Sequence, residues 1–186
     1  MASKLEAESA ARESEVSAIG HIRVTRANAE SLPGFFKLLT LEHAELLGTL
    51  LELQHWNKRS GEVEDLTREE LLESLVADIV AHEEAERTVL YSRLRAHPKY
   101  GSSLDRHALD SEKVLRVARQ LESLPPTDAA FAQTLKQLTA MYQQHTRREE
   151  TELFMRAQHA LDAKDENLRL EYLRAKTRVQ QGILKG

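Results

Sequence analysis

Two short stretches set a histidine four residues before a glutamate: His82 and Glu86 in "HEEAER", and His145 and Glu149 in "HTRREE". On a helix, residues four apart stack on one face, so each pair presents an imidazole nitrogen and a carboxylate oxygen side by side. Stepping by three and four, His82 and Glu86 continue the apolar series Leu72, Leu75, Ile79, and His145 and Glu149 lie between Leu138 and Leu153. Two more histidines interrupt such seams. His43 falls in Phe36, Leu39, His43, Leu50, and His107 in Leu104, His107, Ser111, Val114, Ala118. Placing six such groups in a core without partners would cost several kcal/mol apiece, roughly, and a shared cation would satisfy them together. Imidazole and carboxylate donors without sulfur suit iron, zinc or manganese, and enough of them for two ions suggests a dinuclear centre.

The pattern occurs twice. His43 and His82 are 39 positions apart, His107 and His145 are 38, and "HEEAERTVLYSR" aligns without gaps to "HTRREETELFMR". A two-helix unit contributing H…HxxxE is therefore expected to be used twice about a pseudo-twofold axis.

The elements that must position these residues are helices. Residues 35–58, 66–96, 104–123 and 128–160 each place apolar residues three and four apart and are rich in Leu, Ala, Glu, Arg and Gln. Pro33-Gly34, Gly61, Pro98 with Gly101, and Pro125-Pro126 separate them, and Thr127 or Asp128 is the candidate N-cap of the last. Short connections favour antiparallel neighbours. The expected class is all-α, an antiparallel up-down four-helix bundle with N- and C-terminal helical extensions. Residues 1–34 read as a polar, partly helical extension, 35–160 as the bundle, and 161–186 as an exposed C-terminal helix with a frayed tail.

Composition narrows the function. The 186 residues are 41% hydrophobic, enough for one core, and 26 basic against 30 acidic residues leave a formal charge of −4. No basic field for nucleic acid is evident. There are no cysteines, which excludes disulfides, iron–sulfur clusters and thiolate zinc sites. The first twenty residues lack the apolar stretch of a signal peptide, and no run approaches a membrane span. A soluble cytoplasmic protein, with neither nucleic acid nor membrane as partner, is the expectation.

Taken together, "LEHAELL", "AHEEAERTVLY", "DRHALDSEKVL" and "QQHTRREETELF" resemble the hemerythrin-like HHE cation-binding proteins over about residues 35–158. The resemblance implies a four-helix bundle holding two iron ions in an oxo-bridged (Fe–O–Fe) or carboxylate-bridged centre, although the donor types alone leave manganese and zinc open. It implies Glu86 and Glu149 as bridging ligands and His43, His82, His107 and His145 as terminal ones. There are two departures. Where blood-type hemerythrins carry a second third-helix histidine this chain has Ser111, and their spacing of the last carboxylate would select Glu150 in place of Glu149. Ser111 speaks against simple reversible oxygen carriage. Glu83 is a possible additional ligand for the vacancy, as in some iron-sensing members, although Glu83 and Glu150 alike read more simply as solvent-facing charges.

The family's activities imply a protein that binds or senses dioxygen or a related small ligand. The alternative is a diiron enzyme acting on peroxide or nitric oxide, or oxidising iron for storage; no catalytic residue is assigned. His21, His55, His97 and His159 read as surface or packing residues, and Tyr91 and Phe154 as core aromatics. Tyr142, one turn before His145, is a candidate to donate a hydrogen bond near a metal-bound ligand. The tail "GILKG" faintly resembles the segments that dock cargo inside encapsulin shells, and an ordinary frayed terminus is the simpler reading.

Overall fold

A computed structural model describes residues 2–32, 34–56, 63–97, 99–161 and 166–183. The breaks assigned to Pro33, Gly61 and Pro98, and the tail beyond Ile183, lie outside the described residues. All regular structure among the described residues is helical: α1 (Ala2–Ala29), α2 (Gly34–Trp56), α3 (Val63–Glu86), α4 (Ser92–Arg95), α5 (Gly101–Glu122), α6 (Ala129–Arg148), α7 (Met155–Ala160) and α8 (Glu166–Ile183). Two π-helical segments, π1 (Arg87–Tyr91) and π2 (Glu149–Phe154), join α3 to α4 and α6 to α7 without a break. The helix-forming composition of these segments explains their length, and Asp128 ends the proline turn by accepting a 2.8 Å hydrogen bond from the Ala130 amide as the N-cap of α6.

α2 packs on α3, α3 on α5, α5 on α6, and α6 back on α2. Their buried side chains form two apolar clusters. One gathers Leu47, Leu50, Leu75, Ile79, Val114, Leu121, Leu135 and Leu138, and the other Phe36, Leu39, Leu90, Leu94, Leu104, Leu153 and Phe154. Full burial of each such side chain contributes about 1.5–3 kcal/mol. Between the clusters, every one of the four helices inserts its polar seam positions. Along each helix one cluster precedes these positions and the other follows them, so apolar side chains close the polar layer above and below.

The two flanking helices differ from expectation. α1 is helical over its whole described length, and small or short side chains (Ala18, Thr25, Ala29) let it lie against α2 and α6. α8 is not an exposed appendage. Leu168, Tyr172 and Ala175 form a buried stripe against α3, α2 and π1, so α3 is covered on a second face as well as on its seam. The sequence pattern underestimates this because Tyr172 is the one large aromatic in an otherwise charged helix. No helix among the described residues is long and apolar enough to cross a membrane.

Candidate metal centre

The polar layer brings together His43 from α2, His82, Glu83 and Glu86 from α3, His107 and Ser111 from α5, His145 from α6 and Glu149 from π2, none more than 3% exposed. Two triads stand out. Ligand-type atoms of His43, His82 and Glu86 lie within 4.8 Å of one another, and so do those of Glu83, Glu86 and His145. Glu86 belongs to both. Glu149 joins them from the other side, with Oε2 3.4 Å from Nε2 of His43 and 3.4 Å from Nε2 of His145. Two carboxylates thus each touch both triads, which is the disposition needed to bridge a pair of ions.

The inward-facing atoms lack partners. His43 Nε2, His82 Nε2, both oxygens of Glu86, Glu83 Oε1 and Glu149 Oε2 are buried without a hydrogen bond. Buried polar groups are almost always paired, so this concentration of orphaned donor atoms, all of types that ligate cations, fits a metal centre. His107 is buried and its Nδ1 is also unpartnered, but it falls in neither triad.

Outside the orphaned atoms a second layer is well satisfied. His43 Nδ1 is 2.9 Å from Glu150 Oε1, and His82 Nδ1 is 2.9 Å from Glu42 Oε2. A carboxylate at Nδ1 holds the ring proton there and leaves the Nε2 lone pair pointing inward, as ligating histidines require. Glu150 is therefore not the inward carboxylate; Glu149 is. Tyr91 donates its hydroxyl to Glu149 Oε1, and Tyr172 donates to Glu42 while its oxygen lies 2.8 Å from His82 Nδ1. The Phe154 ring stacks on His43, and the Tyr142 hydroxyl, fully buried, has no partner.

Electrostatics follow from this crowding. Burial, reinforced by the charges of Glu149 and Glu83, pushes the Glu86 carboxyl well above the usual range. Burial alone would lower His145, but Glu149 and Glu83 raise it to about 9, so without metal a proton occupies the space beside Nε2. Burial likewise pushes Glu83 up, yet His145, His82 and the Ser111 side chain draw it down to about 2. Glu42 is brought to about 2, against burial, by His82, Lys176 and Tyr172. Burial lowers His107 and His21.

The reading of Glu83 as a solvent charge is overturned: it is 1% exposed, with Oε2 3.1 Å from His145 Nε2, on the side where Ser111 stands in place of an imidazole. Glu150 is only 13% exposed and supports His43. Tyr91 is more than a core aromatic. His21, read as a surface or packing residue, packs: it lies 3.4 Å from Thr25 Oγ1 and lines a cavity of about 540 Å³ between α1, α2 and α6 whose wall includes Thr40, Arg147 and Glu150. Glu42, Thr25 and Tyr172 were not singled out by sequence. The only signal for Glu42 is its place directly before His43.

These features define a helical protein built around a buried, nitrogen- and oxygen-lined cation site. The model of the hemerythrin HHE cation-binding domain matches residues 35–157, and the chain belongs to that family. A protein described as a DNA nickase from Nostoc sp. (strain PCC 7120 / SAG 25.82 / UTEX 2576) is 30% identical over 116 residues, covering 62% of this chain and 33% of that protein. The chain thus spans about a third of the length of that relative. No solved structure matches.

Proposed function

We propose that the chain is an up-down four-helix bundle that holds two iron ions and binds or senses dioxygen or a related small ligand. One observation carries the reading: the two triads share Glu86, and Glu149 reaches a histidine of each. In this reading His43 and His82 would hold one ion, Glu83 and His145 the other, and Glu86 and Glu149 would serve both. His107, buried in the same layer with Nδ1 unpartnered, would be a further ligand there. The choice of iron over manganese or zinc rests on family membership, since the donor set suits all three.

When bound, a pair of iron ions supplies a redox-active centre able to take up a diatomic ligand or peroxide. The chain's own residues do the rest. Glu42 and Glu150 orient the two imidazoles, the apolar clusters exclude bulk water, and the unpartnered Tyr142 hydroxyl is available to donate a hydrogen bond within the layer. The same hydroxyl would serve turnover of peroxide or nitric oxide equally well, which is the second reading. The relative's name does not transfer, given the third of its length that is covered and this chain's formal charge of −4.

Metal analysis with a visible spectrum tests the proposal. About two irons per chain, lost in Glu86→Ala, and an absorption band that appears with oxygen and reverses on its removal are expected. Evolution of oxygen from added peroxide would favour the enzyme instead. Protein that takes up no stoichiometric metal would sink both readings.

A further inference from the structure

The family match begins at residue 35 and ends at residue 157, so α1 and α8 both lie wholly outside it. Both nevertheless reach the centre, and in the same manner. Glu150 places Oε1 on His43 Nδ1, and its Oε2 accepts a 2.9 Å hydrogen bond from the Thr25 hydroxyl of α1, with His21 Nε2 4.0 Å away. Glu42 places Oε2 on His82 Nδ1 and accepts there from the Tyr172 hydroxyl of α8, while its Oε1 lies 3.0 Å from Lys176 Nζ. Each carboxylate has a ring on one side and a flanking helix on the other.

We propose that α1 and α8 are working parts of the metal centre: through Glu150 and Glu42 they lock the rings of His43 and His82 and so set the affinity of the ion position those imidazoles share with Glu86. The inference rests on the metal reading above. A glutamate has three side-chain torsions, and one that holds an imidazole by a single oxygen fixes the ring only as well as it is itself fixed. Thr25, Tyr172 and Lys176 supply that fixing. At the other ion position neither imidazole is held this way among the described residues, since Nδ1 of His145 and Nδ1 of His107 are both without a partner. It is therefore an internal control: loss of a flanking contact should weaken one binding step and spare the other.

The test is anaerobic titration of the full chain with Co(II), followed by its visible absorption, for wild type, Thr25→Val, Thr25→Ser and Tyr172→Phe. Loss of an outer partner of a metal ligand typically lowers affinity about 10–100-fold, so Thr25→Val and Tyr172→Phe should each weaken one step by that factor and shift its absorption. The other step should stay within about twofold, and Thr25→Ser, which keeps the hydroxyl, should match wild type. Two ions bound with wild-type affinity by both variants would overturn this inference alone. Equal weakening of both steps, accompanied by a fall in melting temperature, would also overturn it, because the helices would then act only as packing. Wild-type protein that binds no Co(II) would overturn the metal reading and this inference with it.

Discussion

Replacing Glu86 by leucine should move stability in opposite directions with and without metal. In the metal-free chain the side chain is fully buried, neither oxygen has a hydrogen-bond partner, and burial beside Glu149 and Glu83 pushes the carboxyl well above the usual carboxylate range. A buried polar group left unsatisfied costs about 1–3 kcal/mol. Leucine has similar volume and no such penalty, and at about 2–4 °C per kcal/mol for a chain of this size the variant should melt about 2–12 °C above wild type in chelator. With iron the order reverses. An ion present at a thousand times its Kd stabilises the native state by about 4 kcal/mol, which raises the wild-type melting temperature by about 8–16 °C. The variant lacks the carboxylate common to both triads and should gain little. The assay is a pair of anaerobic thermal melts, in chelator and in excess Fe(II). A variant that melts below wild type in chelator, together with a wild type indifferent to Fe(II), would show that Glu86 has a structural partner and that the argument from orphaned atoms is wrong.

Other outcomes follow from the same geometry. Glu149→Gln should lose one or both ions, whereas Glu150→Gln, one layer out, should retain both with the affinity of one position reduced; metal content after gel filtration separates them. Metal uptake at neutral pH should release protons, because His145, raised to about 9, carries one in the metal-free chain, so affinity should fall as pH falls. A titration in weak buffer with a pH indicator measures this. In chelator, stability should rise from about pH 2 to 4.5 as Glu42 and Glu83 ionise into their ion pairs. It should then decline from about pH 6.5 to 9 as His145, whose folded value is the raised one, gives up its proton; melts across pH check both limbs. Ser111→His places an imidazole into a position only 2% exposed, and should destabilise the chain by about 1–3 kcal/mol through overpacking without adding a bound ion.

The burial of His43, His82, Glu86, His107, His145 and Glu149 is legible in the sequence because each sits in a run of apolar residues at helical spacing, and that spacing persists through the straight parts of α2, α3, α5 and α6. The second layer is not. A single-helix pattern assumes one buried face, but α3 is covered on one side by α8, whose Tyr172 reaches His82, and on another by α5, where Glu83 faces Ser111 and His145. Glu42 lies on the side of α2 that meets α8, a contact made across 130 residues of chain. Tyr91 reads in the sequence as a core aromatic, and its role comes from the π-helical turn that follows Glu86. In a π turn residues five apart come closer to one face, and Tyr91, five after Glu86, turns inward onto Glu149.

The two π segments also bear on the origin of the chain. π1 begins five residues after His82 and π2 four residues after His145, at nearly the same place in the aligned halves. Such wide turns are rare and easily lost when no function retains them, so two at matching positions are more simply one inherited feature than two inventions. The two halves have kept the wide turn while diverging at the residue after the histidine, Glu83 in one and Thr146 in the other, both buried.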